Sequence, residues 1–414
     1  MDYFIKTKTP IWTGGIEGIC DTIHETGIIG SMRWWYEVVL RGLDVFACDP
    51  TSAEQRCPNE ITIGNQKQKK WCNACDLFGM TGQQRKFKIN MSDGKPVFVQ
   101  HDKNKDVINI MPQKSDPPRR HGWYLGAGRI AQNQNGLILQ IMPLSKKDRD
   151  ATDEKIKLLL CLISRWAGIG AKQQHGYGIF DIYEKINTEN KRLEIDENEF
   201  DAMIQKLKNP PERPRNEAPG DTLPSLKNFF FAKVRLDGLS GGWQNSVDGA
   251  QTALNDADQK ARFGSWHTQH DSRIFAPALK NQLRYVVFNG HTPVQKELFK
   301  ELFGDISVKK GAKVNVSHVY DNGGFKEVRV WGDVSNVAAR SEIFEALNGK
   351  IYPPATTNIW QAATGCDTVT AQIWEWREIN GRAARCRQRG GAPTCATLCT
   401  STSPEAFLKC LLRG

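Results

Sequence analysis

No stretch of this 414-residue chain approaches the ~18 consecutive apolar residues that a membrane-spanning helix requires, so no membrane partner is expected. The opening Met-Asp-Tyr-Phe-Ile-Lys-Thr-Lys-Thr-Pro lacks the charged, apolar and small-residue succession of a secretory leader, and a cytoplasmic location is the expectation. In that compartment the 11 cysteines would be thiols or metal ligands rather than disulfides. A G-x-x-x-x-G-K-[ST] run is also missing, which removes the P-loop route to nucleotide hydrolysis.

Charge of one sign is scarcer than the total suggests. The formal charge is +10, which points to a polyanionic partner until it is located. From Gly381 onward six basic residues (Arg382, Arg385, Arg387, Arg389, Lys409, Arg413) face one acid, Glu405, and account for +5. The rest of the chain carries only the other +5, so nucleic-acid binding has to be argued from sites rather than from bulk basicity.

One such site is the run Gly168-Ile-Gly-Ala-Lys-Gln-Gln-His-Gly-Tyr-Gly178. Its four glycines let backbone approach a ligand closely, and repeated glycines expose N–H groups to an anion. Gly170 and Gly176 are expected to serve in this way, while Lys172, Gln173, Gln174 and His175 add side-chain donors suited to phosphate, sugar or base edges. A second site opens a helix, Gly27-Ile-Ile-Gly-Ser-Met-Arg-Trp-Trp-Tyr-Glu37. There Arg33 reads either as a phosphate contact near a helix N-terminus or as the ion-pair partner of Glu37, and the aromatics read as core.

Cys48, Cys57, Cys72 and Cys75 offer four thiolates, the last two as Cys72-Asn-Ala-Cys75, and match a structural Zn²⁺ site in a segment with little core of its own. Cysteines 386, 395, 399 and 410 have no comparable context. His24 and His175 raise the alternative of a metal-independent endoribonuclease, since two imidazoles could move protons at neutral pH.

Hydrophobic periodicity organises the rest. Before residue 208, strands are expected at Tyr3–Lys8, Lys86–Met91, Leu137–Leu144 and Tyr177–Tyr183, with helices around Ile28–Val39 and Thr152–Gly168, the latter opened by Asp153 and Glu154. The order β-α-β-β-α-β is ferredoxin-like. Residues 208–224 contain five prolines and read as a linker. Beyond it the same order recurs from Phe229 to Glu378, with Tyr-Asp-Asn-Gly-Gly as a hairpin signal.

The expected fold is therefore α+β. Two tandem ferredoxin-like (RRM-like, βαββαβ) domains, 1–207 and 225–380, flank the linker, with a long cysteine-containing insertion at about 44–128 in the first. A basic tail, 381–414, is expected to be disordered.

Four of these segments together resemble a known family: Phe4-Ile-Lys-Thr-Lys-Thr-Pro-Ile-Trp-Thr-Gly-Gly15, Ile28-Ile-Gly-Ser-Met-Arg-Trp-Trp-Tyr36, Cys72-Asn-Ala-Cys-Asp-Leu-Phe-Gly-Met-Thr-Gly82 and the 168–178 loop. They are similar to the RAMP proteins of type III CRISPR systems, and most to the first RAMP subunit of the type III-B (Cmr) effector complex. The resemblance is good over roughly the first 190 residues and loose beyond. It implies an RNA-binding, non-catalytic subunit that caps a filament of related RAMP subunits near the 3′ part of the guide RNA. CRISPR RNA, target RNA and other RAMP subunits would be its partners, with no DNA contacted directly and cleavage left to other subunits. On this chain it implies RNA contacts at Arg33, Lys172, Gln173, Gln174 and His175 and zinc at Cys48, Cys57, Cys72 and Cys75. A structural adaptor that touches no RNA is the remaining alternative.

Overall fold

The computed structural model describes residues 1–9, 11–14, 23–58, 61–63, 66–68, 71–92, 97–98, 107–110, 121–124, 130–131, 137–186, 189–208, 223–239, 275–288, 293–305, 310–353, 355–379, 398–401 and 403–413. The first region begins with strand β1 (Asp2–Thr7), helix α1 (Glu25–Gly42), the small hairpin β2–β3 (Ile61–Ile63, Gln66–Gln68), the short helix α2 (Asn73–Phe78) and β4 (Phe87–Ser92). Four short strands follow, β5 (Val97–Phe98), β6 (Val107–Ile110), β7 (His121–Tyr124) and β8 (Ile130–Ala131), before β9 (Leu137–Pro143), α3 (Arg149–Trp166), β10 (Phe180–Ile186), β11 (Glu189–Arg192) and α4 (Glu197–Lys208). The main sheet has the order β11-β10-β1-β9-β4 and is antiparallel throughout.

After the linker come β12 (Phe229–Asp237), α5 (Phe275–Gln282) running into a π-helical turn at Leu283–Val287, and α6 (Pro293–Phe303). They are followed by β13 (Val314–Val316), β14 (Tyr320–Asn322), β15 (Phe325–Asp333), α7 (Val337–Leu347), α8 (Ile359–Thr364), β16 (Thr370–Ile379), β17 (Leu398–Ser401) and α9 (Pro404–Leu412). This sheet has the order β13-β15-β12-β16-β17, with β14 paired to β15 and only β16–β17 parallel.

Alternation along the strands decides the layering. In β1, Tyr3, Ile5 and Thr7 are buried while Asp2 and Lys6 are exposed, and β9 alternates in the same sense with Leu137, Leu139 and Ile141 inward. The inward face packs on α1 and α3, and those helices pack in turn on the second sheet. Trp35 of α1 stands 5.2 Å from Phe229 and 6.0 Å from Phe231 between ring centroids, and Trp166 of α3 stands 6.0 Å from Phe231. The opposite face of the second sheet is covered by α5, α7 and α8 around Phe230, Val234, Leu279 and Trp360.

One helix boundary changes. Asp153 and Glu154 do not open α3, because the helix begins at Arg149 and Asp150 is the acid in its first turn. The expected insertion surrounds one strand, and β4 is that strand, paired with β9 in the main sheet. Most of the linker lies outside the described residues.

The tail is the largest correction. Although 380–397 lie outside the described residues, β17 joins the second sheet, and α9 buries Phe407, Leu408, Leu411 and Leu412 in the first core. Ser403 caps α9, accepting from Ala406 N–H at 3.2 Å, with Pro404 at the first helical position. Trp166 Nε1–H donates to Leu411 O at 2.6 Å and Arg165 to Leu412 O. The apolar spacing Phe407-Leu408-Leu411-Leu412 was the available signal, masked by its basic neighbours. Cys410 is disulfide-bonded, contrary to the expectation of thiols or metal ligands.

Two glycines of α1 should respond oppositely to alanine. Gly30 is exposed and a Cβ there meets nothing within 4 Å, so Gly30→Ala should add about 0.5–1 kcal/mol of stability in urea unfolding. A Cβ on Gly42 would lie 2.4 Å from Leu226 Cβ, and Gly42→Ala should cost about 1–3 kcal/mol in the same measurement.

Lys280 gives a pH test. Burial pushes its ammonium down to about 7, with Arg284 adding repulsion. The native state therefore binds fewer protons than the unfolded chain between that value and the ordinary lysine range. Stability rises with pH across that window, and the full penalty stands below it. Lys280→Met should stabilise the protein at pH 6 by on the order of 2 kcal/mol more than at pH 10.

Candidate nucleic-acid interface and metal centre

The glycine loop joins α3 to β10 and is closed by its own backbone. Ile169 N–H donates to Gly178 O at 2.9 Å, Ala171 N–H to Trp12 O at 2.9 Å, and His175 and Gly176 N–H turn back to Lys172 O and Gln173 O at 2.8 and 2.9 Å. Each glycine is required by chain meeting chain. Gly178 has φ 91°, and a Cβ would lie 2.2 Å from Ile169 O; at Gly176, φ 95°, it would lie 2.6 Å from Ala276 Cβ. A Cβ on Gly170, φ 87°, would be 2.8 Å from Trp12 O. The N–H groups of Ile169, Ala171, His175 and Gly176 are therefore engaged within the chain, and the glycines lock the loop against the N-terminal segment and the second region.

Side chains form what remains outward. Lys172 holds a left-handed conformation (φ 54°, ψ 30°), at a cost of about 1–2 kcal/mol for a residue with a Cβ. Its Nζ lies 4.1 Å over the Trp12 ring, a cation–π contact. Gln173 Nε2 donates to Ser31 Oγ at 3.3 Å and to Gly170 O at 3.1 Å, which ties the loop to α1, and Gln174 is exposed. His175 is buried. The next residues carry the contact with the second region, where His318 N–H donates to Gly176 O at 3.1 Å and the Tyr177 and His318 rings sit 5.5 Å apart. His24 stands at the N-cap of α1, its backbone N–H donating to Thr13 Oγ1 at 2.8 Å. Trp12 and Ser31 are the residues that sequence reasoning passed over, though each lies inside one of the four motifs.

The cysteines do come together. The sulfurs of Cys48, Cys57, Cys72 and Cys75 all lie within 4.8 Å of one another, with Cys48–Cys75 at 3.4 Å and Cys48–Cys72 at 3.7 Å. A tetrahedron with Zn–S bonds of about 2.3 Å has edges of about 3.8 Å, so the spacing fits. Cys72 is the N-cap of α2 and its sulfur accepts from Cys75 N–H at 3.4 Å, while Cys57 Sγ accepts from Cys72 N–H at 3.3 Å. Such N–H donors orient thiolates and offset their charge.

Arg33 belongs to this centre. Its Nη2 donates to Cys75 Sγ at 3.3 Å, its Nη1 to Gly79 O at 2.6 Å and its Nε to Glu37 Oε1 at 2.9 Å. Burial opposes its charge, but the hydrogen bond to Glu37 and the field of Cys75 hold the guanidinium above its ordinary pKa. Burial in turn raises Glu37, against the pull of Arg33 and Arg41. With three donors engaged, Arg33 is the ion-pair partner of Glu37, one of its two expected readings, and also touches the cysteine cluster. A cavity of about 660 Å³ beside the cluster is lined by Arg33, Glu54, Arg56 and Met80 among others.

Among the described residues no helix is long and apolar enough to cross a membrane. A search of curated proteins found no match to the chain. Among solved structures, Cmr1 from Pyrococcus furiosus in its apo form is similar at 14% identity and a TM-score of 0.35, covering 89% of this chain and 98% of that one. A chain of a type III-B Cmr-beta complex bound to cognate target RNA is similar at 11% identity and a TM-score of 0.33, covering 80% and 94%. A second such complex, also holding AMPPnP, gives 11%, 0.36, 83% and 97%. Residues 4–181, the span holding most of β1, the cysteine centre and the glycine loop, match the RAMP superfamily model, and over that region the chain is similar to the RAMP superfamily.

Proposed function

We propose that the chain is an RNA-binding, non-catalytic subunit of a type III-B CRISPR effector complex in the cytoplasm. It contacts guide or target RNA near the 3′ end of the guide and caps a filament of related RAMP subunits. The observation that carries this reading is the closed loop inside the RAMP-matching region, with Gln174 exposed on it and Lys172 half-buried over Trp12. Motif resemblance supports the type III-B assignment, and the strand order of each sheet supports two ferredoxin-like units in tandem. Contacts from lysine and glutamine suit phosphate and sugar, and so tolerate any guide sequence. Burial of His175 at the junction of the two regions favours binding over the endoribonuclease alternative.

Lys172→Ala with Gln174→Ala should weaken RNA binding about tenfold and flatten its salt dependence by about one counterion, in titrations of the full chain at several salt concentrations. Unchanged affinity and slope would remove the loop from the interface.

The four thiolates hold a structural Zn²⁺ that staples the segments before β4 to α1. Elemental analysis should find about one equivalent of zinc, and Cys72→Ser should both lower that content and destabilise the fold by several kcal/mol. A content below about half an equivalent, with unaltered melting on chelation, would leave four reduced thiols.

A further inference from the structure

The second sheet is covered on both faces, by α1, α3 and α9 on one side and α5, α7 and α8 on the other. The first sheet is not. Among the described residues its helices lie on the Tyr3–Ile5 side, and the outward face carries the other half of the alternation.

Register lines those outward residues up. Phe4 of β1 is directly opposite Tyr183 of β10 and Ile138 of β9, and Tyr183 is opposite Arg192 of β11. A row of ring, ring and aliphatic side chain thus crosses the middle of the sheet and ends in a guanidinium. The Phe4 and Tyr183 rings are 6.0 Å apart and tilted by 52°, both half-buried with part of each ring open.

Cations flank the row. Lys6 lies two residues along β1 and Lys88 on edge strand β4; both are exposed, and neither has an ion-pair partner among the described residues. Strand spacing of about 4.8 Å and a rise of about 3.4 Å per residue put Lys6 roughly 7 Å and Lys88, opposite Met142 and on the other side of the row, roughly 17 Å from Phe4. Against Lys6, Lys8, Lys88 and Arg192 the face holds two carboxylates, Asp2 and Asp181, and Asp181 is already engaged by Lys8 and Arg192. Gln140 and Asn90, hydrogen-bonded to each other at 3.1 Å, supply amide groups beside the row.

We propose that this open face is a second nucleic-acid site, which binds single-stranded RNA by stacking bases on Phe4 and Tyr183 while Lys6 and Lys88 meet the flanking phosphates. Aromatic side chains in the middle of an antiparallel sheet with cations at its margin match unpaired bases, whose flat faces are exposed. Duplex RNA hides those faces, and an apolar protein surface would leave the lysines unmatched. The site is on the sheet face away from α1 and α3, whereas the glycine loop is anchored to α1 through Ser31. Only the choice of RNA as ligand rests on the function proposed above.

The test is titration of the full chain with labelled oligouridylate of about 12 nucleotides and with duplex RNA of the same length. Phe4→Ala with Tyr183→Ala should weaken single-strand binding about tenfold or more and leave duplex binding unchanged. Tyr183→Phe, which keeps the ring, should bind like the unaltered chain. Lys6→Glu with Lys88→Glu, surface changes with no packing role, should give a comparable loss that is largest at low salt. Photocrosslinks from thiouridine should fall on Phe4 or Tyr183.

Loss confined to the Lys172 and Gln174 variants, with the face variants binding normally, overturns this site and leaves the loop reading intact. The reverse pattern establishes the face and removes the loop. Absence of single-strand binding by the unaltered chain, or face variants that lose only protein partners in the assembled complex, also overturns it.

Discussion

Helix α1 is held between two sheets, and the rest of the molecule is arranged around that burial. Its Trp35 edge meets Phe229 and Phe231 from the second sheet, while Ile28, Met32 and Val39 are buried in the same core as the inward side chains of the first sheet. A helix enclosed in this way has few ways to shift, because interiors are packed as densely as organic crystals. Whatever is attached to α1 inherits its position. Ser31 holds the glycine loop through Gln173, Arg33 holds the cysteine centre through Cys75, and Gly42 receives the chain entering the second region at Leu226. Three features far apart in sequence therefore share one rigid reference.

The charge arrangement follows from the same placement. Four thiolates around a divalent cation would carry a formal charge of about −2, which would have to be offset where water is excluded. Arg33 and the N–H groups of Cys72 and Cys75 donate to these sulfurs, with Glu37 bridging Arg33 and Arg41. Arg33 and Arg41, the two arginines of this helix, are thereby engaged within the fold.

Much of this was legible in the sequence because periodicity reports burial. The strands at Tyr3, Leu137 and Phe229 and the helices through Ile28 and Leu159 have one buried face each, and their spacing shows it. The cysteine centre was legible because a metal site needs particular ligand types at short spacing. Arg33 was ambiguous for a physical reason: a guanidinium near a helix start suits a phosphate as well as a thiolate, and only the fold brings Cys75 to it. The glycine loop was read as open to a ligand, although its positive φ angles answer to carbonyls and methyls of the same chain. Helix α9 stayed hidden because its apolar stripe is short, and what it packs against, α3, lies far away in the chain.

That distance has a consequence for how the protein comes to exist. The bonds from Arg165 and Trp166 to α9 span 247 and 245 residues, and four apolar side chains of α9 complete the core of the first region. During synthesis at about 5–20 residues per second, roughly 10–50 s pass between the appearance of α3 and that of its last packing partner. For that interval the first region waits with an unfilled apolar groove between its helices. Its final closure is a late, long-range event, although most of its own sheet was translated first.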